Sequence, residues 1–270
     1  MKQHDGSGHL RRDIIRWFGA AFGAALGAAS LIPLVGCADD GTTGIGPDAS
    51  GTDGDGSITG QCATIPEETA GPYPGDGSNG KNALTQSGVV RSDIRSSFAG
   101  ASAVATGVPL TIKLKLADTS ASCATLAGYA IYLWHCDKDG NYSMYSSAVA
   151  SENYLRGVQA TDSDGTVSFT TIFPGCYAGR MPHVHFEVYP SVATATSSTN
   201  KVKTSQLGFP DAPCDDVYAT STYASSKTNY ANISFASDNV FSDGTSLQIA
   251  SATGDATSGY VATLQIGISA

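Results

Sequence analysis

Apolar and polar residues alternate with a period of two over residues 108–116 (Val-Pro-Leu-Thr-Ile-Lys-Leu-Lys-Leu), the mark of a strand with one covered face. Residues 129–134 (Tyr-Ala-Ile-Tyr-Leu-Trp) are apolar on both faces and predict a central strand, ended by an Asp-Lys-Asp-Gly turn at 137–140. Residues 154–173 read as strand, Asp-Gly turn and strand, which together predict a hairpin. Residues 183–188 predict a further strand with Val184, Phe186 and Val188 on one face and His183, His185 and Glu187 on the other, so that the imidazoles face away from the bulk of the core. Beyond Asp211 the chain is rich in Ser, Thr, Ala and Asn, with strand-like runs at 246–250 and 259–268 that would close the sheets. Neither an internal repeat nor a long helical period appears, and the pattern predicts an all-β fold, a β-sandwich.

The front of the chain follows a different pattern. Residues 1–36 carry Arg11-Arg12, then Ile14 and Ile15, then an Ala/Gly-rich apolar run from 17 to 35, which reads as a twin-arginine export signal. The run ends in Leu34-Val35-Gly36-Cys37, which resembles a lipobox whose cysteine is acylated; a plain transmembrane anchor is the alternative. Either reading places the following domain outside the cytoplasm, periplasmic or at the cell surface; in the lipobox reading its membrane attachment runs only through a lipid on Cys37. The twin-arginine route resembles one that carries proteins already folded, with a cofactor in place. Residues 37–60 are rich in Gly, Asp, Thr and Ser without an aromatic residue, a flexible tether spanning on the order of 25 Å, and 61–270 form the domain.

With 270 residues, 41% of them apolar and 14% charged, the chain has material for one domain with a real core. The net charge of -9 argues against nucleic acid, whose phosphates must be met by clustered Lys and Arg. With Cys37 lipidated, Cys62, Cys123, Cys136, Cys176 and Cys214 remain, an odd number in an oxidising compartment; two disulfides and one free thiol are expected, with no Cys-x-x-Cys to favour metal ligation.

Candidate chemistry concentrates in the stretch from 173 to 190. On a strand, His183 and His185 point the same way, about 6 to 7 Å apart, as a two-pronged metal clamp. Tyr177 lies in a Pro-Gly-Cys-Tyr turn just upstream, and Arg180 three residues before His183. A phenolate is a hard anionic donor suited to trivalent iron, and two neutral imidazoles add affinity without further charge. A zinc site would more commonly recruit Cys or carboxylate, and here only Cys176 is at hand.

The run Tyr177-Ala-Gly-Arg180-Met-Pro-His183-Val-His185-Phe-Glu-Val resembles the iron-site signature of the intradiol ring-cleavage dioxygenases. Five further segments resemble that family. In Trp134-His-Cys-Asp-Lys-Asp-Gly-Asn-Tyr142 the tyrosine after the turn matches the second phenolate ligand. Thr69-Ala-Gly71-Pro72-Tyr73 matches a wall of the substrate pocket. Leu155-Arg-Gly-Val-Gln-Ala-Thr-Asp-Ser-Asp-Gly165 reads as scaffold. Thr204-Ser-Gln206-Leu-Gly-Phe-Pro210 matches the segment whose glutamine lies near the bound ring. Residues 89–95 are similar to the alternation that precedes the family's first core strand. His135 is expected to be packed rather than a ligand, and Asp137, Asp139 and Asn141 lack the closing Glu of a calcium loop.

The resemblance implies a non-haem Fe(III) held by Tyr142, Tyr177, His183 and His185, with solvent hydroxide completing the shell. Two phenolates favour the ferric state. It also implies that Tyr177 is the phenolate able to leave the metal, and that Arg180 stabilises negative charge developing on the ring. Gly71, Pro72, Tyr73, Arg180 and Gln206 would then meet the substrate, an aromatic diol cleaved with O2 between its hydroxylated carbons to a muconate-type diacid. The chain lacks the long N-terminal helical region by which catechol-type members dimerise, so the resemblance implies no oligomeric state. A surface-anchored β-sandwich binding module with a structural metal site is the alternative, and a Tyr/His metal hydrolase lacks a carboxylate base near the histidines.

Overall fold

The computed structural model describes residues 63–270. The signal, lipobox and tether assigned to residues 1–60, with Cys37 and Cys62, lie outside the described residues. In chain order the strands are β1 (Pro109–Asp118), β2 (Ala124–Thr125), β3 (Ala130–Trp134), β4 (Arg156–Ala160), β5 (Thr166–Ile172), β6 (His183–Tyr189), β7 (Lys203–Gly208), β8 (Ser251–Asp255) and β9 (Gly259–Ile268). Two short helices, α1 (Asp211–Ala219) and α2 (Ala224–Tyr230), lie between β7 and β8.

The alternation in β1 has its expected outcome: Leu110, Ile112, Leu114 and Leu116 are buried while Lys113 and Lys115 face solvent. β1 pairs antiparallel with β5 and, at its far end, β2; on its other side it runs parallel to β9, which pairs antiparallel with β8. The second sheet runs β4-β3-β6-β7, antiparallel throughout. Val184, Phe186 and Val188 of β6 join the β1 and β9 residues in the core between the sheets, and the fold is the all-β sandwich.

The outer face of the second sheet is not a solvent-facing polar face. His183, His185 and Glu187 are all buried, because residues 70–104 and the loop after β3 cover this face with a second apolar cluster that includes Leu84, Phe98, Trp134, Tyr142 and Tyr189. The Glu187 carboxylate is kept there by Lys201 Nζ at 2.8 Å and the Tyr189 hydroxyl at 2.7 Å.

Residues 154–173 correct the hairpin expectation. β4 pairs with β3 and β5 pairs with β1, so the Asp162 turn carries the chain from one sheet to the other. Alternation alone cannot distinguish such a crossing from a hairpin, and here the second edge of β4 is taken by Val89 and Arg91, bonded to Val158 on both sides. Gly165 is required at the crossing: its φ is +73°, and a Cβ would stand 2.6 Å from the Leu116 carbonyl oxygen.

Two more expectations are corrected beyond Asp211. The segment forms α1 and α2, nine and seven residues long, too short and too poor in apolar residues for a helical period to show. The strand expected at 246–250 instead begins at Ser251, and 246–250 is a turn with one bridge from Ile249 to Gly208. The cysteine expectation changes as well. Cys123 is disulfide-bonded, but Cys136, Cys176 and Cys214 are free and buried, serving as small apolar side chains.

Candidate metal centre

Each prospective ligand is held by a different part of the chain. His183 and His185 project from the same face of β6, and their Nε2 atoms lie 3.1 Å apart. The His183 Nδ1–H donates to the Met181 carbonyl at 2.6 Å, which leaves a lone pair on Nε2. His185 stacks flat on Trp134, its neighbour across the β3–β6 pair, with ring centroids 4.9 Å apart and planes within 4°.

Tyr142 follows the turn that ends β3. The Asp137 carboxylate fastens this turn by accepting the Asp139 and Asn141 N–H groups at 3.0 and 2.9 Å and the Tyr154 hydroxyl at 3.2 Å, which is a capped turn and not a calcium loop. Tyr177 sits on the turn after β5, braced from beneath by the helical segment. The Tyr218 and Tyr223 hydroxyls donate to the Pro174 and Phe173 carbonyls, and Ser226 Oγ accepts the Cys176 N–H. The two ligand-bearing loops touch backbone to backbone through Gly175, where a Cβ would come within 2.6 Å of the Asp137 carbonyl oxygen.

These placements converge. The Tyr142 and Tyr177 hydroxyls lie 3.3 and 3.2 Å from His183 Nε2. Desolvation is the main influence on all four groups. It lowers the pKa of His183 to about 3 and that of His185 well below its ordinary value, and it raises Tyr177 to about 12 and Tyr142 well above 10. Two neutral imidazoles and two phenols therefore aim their lone-pair atoms at one small volume, and the buried His185 Nδ1 has no hydrogen-bond partner.

That donor set fits a metal ion. Among the described residues no three His, Cys, Asp or Glu side chains gather in a metal-holding group, and the anionic donors on offer are phenol oxygens. Hard oxygen donors of this kind suit a trivalent ion, which a soft thiolate site would not.

The remaining residues singled out from sequence border the same volume. Gly71, at φ +67°, brings its backbone to His185: a Cβ there would meet His185 Cε1 at 3.5 Å. The Asn79 amide donates to the Pro72 carbonyl, and the partly exposed Tyr73 ring lies 5.0 Å from that of Tyr142 and 5.3 Å from that of Tyr145. Gln206 is the register partner of His185 on β7, donates to the Thr69 carbonyl at 2.9 Å and accepts from Arg180 Nη2 at 2.5 Å. His135 stands apart, with Nδ1 donating to the Cys136 carbonyl and Nε2 accepting from Thr171.

Three neighbours of the site had no assigned role from sequence. Trp134 is the stacking floor for His185. Asp238 holds Arg180 through two contacts of Nε at 2.9 and 3.1 Å. Arg156, fully buried, donates to the Tyr73, Pro74 and Ser143 carbonyls and to the Tyr132 and Ser143 hydroxyls, with no carboxylate partner among the described residues. A Leu-Arg-Gly run gives no sign that its arginine turns inward, and Asp238 sits in a polar stretch with no motif.

Residues 92–211 match the family model described as Dioxygenase. An intradiol ring-cleavage dioxygenase from Tetranychus urticae is similar in structure, with a TM-score of 0.61 and 25% identity over 77% of this chain and 94% of that one. A chlorocatechol 1,2-dioxygenase of Rhodococcus opacus is 40% identical over 60 residues, 22% of this chain and 23% of that relative, so the matched stretch spans about a quarter of its length. Two sheets that bring two tyrosines and a His-x-His pair to one point, a family match running from before β1 to the start of α1, and a structural relative aligned over nearly its whole length agree: the chain is similar, in fold and in the residues of its site, to the intradiol ring-cleavage dioxygenases.

Proposed function

We propose that the protein is a non-haem iron dioxygenase that cleaves a catechol-type ring between its two hydroxylated carbons, taking up both atoms of O2 to give a muconate-type diacid. The convergence of the Tyr142 and Tyr177 hydroxyls and His185 Nε2 on His183 Nε2, each within 3.1 to 3.3 Å of it, carries this reading. Fe(III) held by those four residues would supply the Lewis acidity and electron-accepting character that make a bound diol reactive towards O2.

The chain's own groups divide the remaining work. Tyr177 is the more exposed of the two phenols and, held as a phenolate by the iron, would be the base that takes a hydroxyl proton from an entering diol, while Tyr142 stays packed against Tyr73. Arg180 and Gln206 line the side of the site next to His185 and supply fixed donors for negative charge that develops on the ring. Gly71, Pro72 and Tyr73 form another wall, where Gly71 takes the left-handed φ of +67° that turns the chain beside His185.

The Arg11-Arg12 and Leu34-Val35-Gly36-Cys37 patterns support an exported, lipid-anchored protein acting outside the cytoplasm. The functional reading is tested by purifying the protein, measuring its iron content and visible spectrum, and following O2 uptake with a panel of catechols. A red-brown, iron-containing protein that consumes O2 is expected. A colourless protein without iron that takes up no O2 would leave only a binding module.

A further inference from the structure

Arginine reaches its targets through four rotatable bonds, so a guanidinium with a defined job at a site needs a partner that fixes its plane. We infer that Asp238 is the positioning residue for Arg180, holding the guanidinium so that Nη1 and the second Nη2 hydrogen are left to meet substrate. The inference rests on the ring-cleavage reading for what Arg180 does, and on the structure alone for how it is held.

Asp238 lies 58 residues beyond Arg180, yet its side chain is completely buried against it. Its carboxylate is fixed from the backbone side: Oδ1 accepts the Val240 and Phe241 N–H groups at 2.8 and 3.1 Å, and Oδ2 accepts the Met181 N–H at 2.6 Å. Both oxygens then receive Arg180 Nε–H, at 3.1 and 2.9 Å. Nη2 donates to Gln206, whose own amide is pinned to the Thr69 carbonyl.

With Nε and one Nη2 hydrogen occupied, the guanidinium plane is set, and among the described residues Nη1 makes no hydrogen bond. The carboxylate also offsets the cation's charge. Arg180 therefore acts through directed N–H donation from one edge, which a lysine at this position could not reproduce. The same contact joins the turn that begins at Tyr177 to the loop at 238–241, whose Phe241 ring lies against both Arg180 and His183.

A loop staple and a positioning residue differ in one measurable respect: the first costs the same whatever stands at position 180. A double-mutant cycle on the iron-loaded full chain, with catechol as substrate, separates them. Asp238→Asn is expected to lower kcat by about 10²-fold with KM changed less than about threefold, the scale of an angström misplacement. In an Arg180→Gln background the same change should cost less than about twofold. An equal loss in both backgrounds, or no loss in the wild type, overturns the inference. Should D238N fail to fold, Asp238→Glu, which keeps the charge and moves it by one methylene, enters the same cycle.

A second measurement does not depend on turnover. In gallium-loaded, 15N-arginine-labelled protein, the Arg180 Nε–H signal, assigned by its loss in Arg180→Lys, should exchange slowly with solvent and speed up at least tenfold in D238N. Fast exchange in the wild type refutes the lock. If the wild type turns over no catechol while this signal stays protected, the ring-cleavage reading falls and the Asp238 lock stands.

Discussion

Replacing Arg156 by methionine sets two large effects against each other. The guanidinium is buried with no counter-charge among the described residues, and taking such an ion from water costs several kcal/mol, so an apolar residue of similar length removes that cost. Against this, Arg156 satisfies acceptors on the covered face, the Tyr73 carbonyl part-buried and the others buried. The Pro74 carbonyl keeps the Tyr132 hydroxyl as a second donor at 2.8 Å, but the buried Ser143 carbonyl and the Tyr73 carbonyl lose the guanidinium altogether. Each orphaned acceptor costs roughly 1–3 kcal/mol, so two cost about 2–6 kcal/mol. The guanidinium's own donors are all matched, which means most of its desolvation is already offset by charge-assisted bonds. The orphaned carbonyls should therefore decide the sign. Urea unfolding of Arg156→Met is expected to show a loss of about 2–6 kcal/mol with an unchanged m-value, a large part of a typical domain's 5–15 kcal/mol. Arg156→Lys, with three donors for five acceptor contacts, should fall between. If the methionine variant is as stable as the wild type, burial of the charge outweighs the hydrogen bonds and the clamp reading of Arg156 is wrong.

Two further outcomes can be checked by the same unfolding assay. Gly165→Ala should cost about 2–4 kcal/mol, because the added methyl meets a backbone carbonyl that cannot move aside at a φ few L-residues adopt; a loss below about 1 kcal/mol would show that the crossing turn can relax. Stability should also fall at alkaline pH. Burial raises the Tyr132 pKa to about 12, so below about pH 10 the phenol is protonated in both states and contributes nothing, whereas above it the unfolded chain ionises first. Between pH 10 and 12, Tyr132→Phe should lose stability less steeply than the wild type, by about 1.4 kcal/mol per pH unit. Parallel slopes would refute the assignment.

How much of this was legible beforehand follows from the range of each signal. β1, β3, β6 and β9 are readable because burial of one face or both imprints a short-period pattern on adjacent residues. The histidine pair, Tyr177 and Arg180 are readable together because they lie within nine residues, and Tyr142 because it follows a turn that its own Asp137 closes. What the pattern could not carry is long-range choice. Whether β4 folds back on β5 or pairs with β3 depends on Val89 and Arg91 occupying its free edge, which nothing local records. The role of Asp238 depends on where a polar loop lands after two helices. The burial of Glu187 depends on Lys201 arriving from the turn that precedes β7, and a carboxylate in an alternating strand otherwise reads as solvent-facing. The free thiols were misjudged because cysteine number limits possible bridges without saying which side chains come within reach.

The parallel pairing of β1 with β9, from Leu110 opposite Tyr260 to Asp118 opposite Ile268, has a bearing on biogenesis. β1 emerges early from the ribosome and finds β5 soon after, but its other edge stays open until the final strand is made. Thr64 and Ile65, which bond to Gly267, must wait for the same strand. Until then the nascent chain presents an unpaired, alternately apolar edge of the sort that invites association with other chains. Closure is thus a late, all-at-once event, which makes the interval between synthesis of β1 and arrival of β9 the period in which this protein most needs a chaperone.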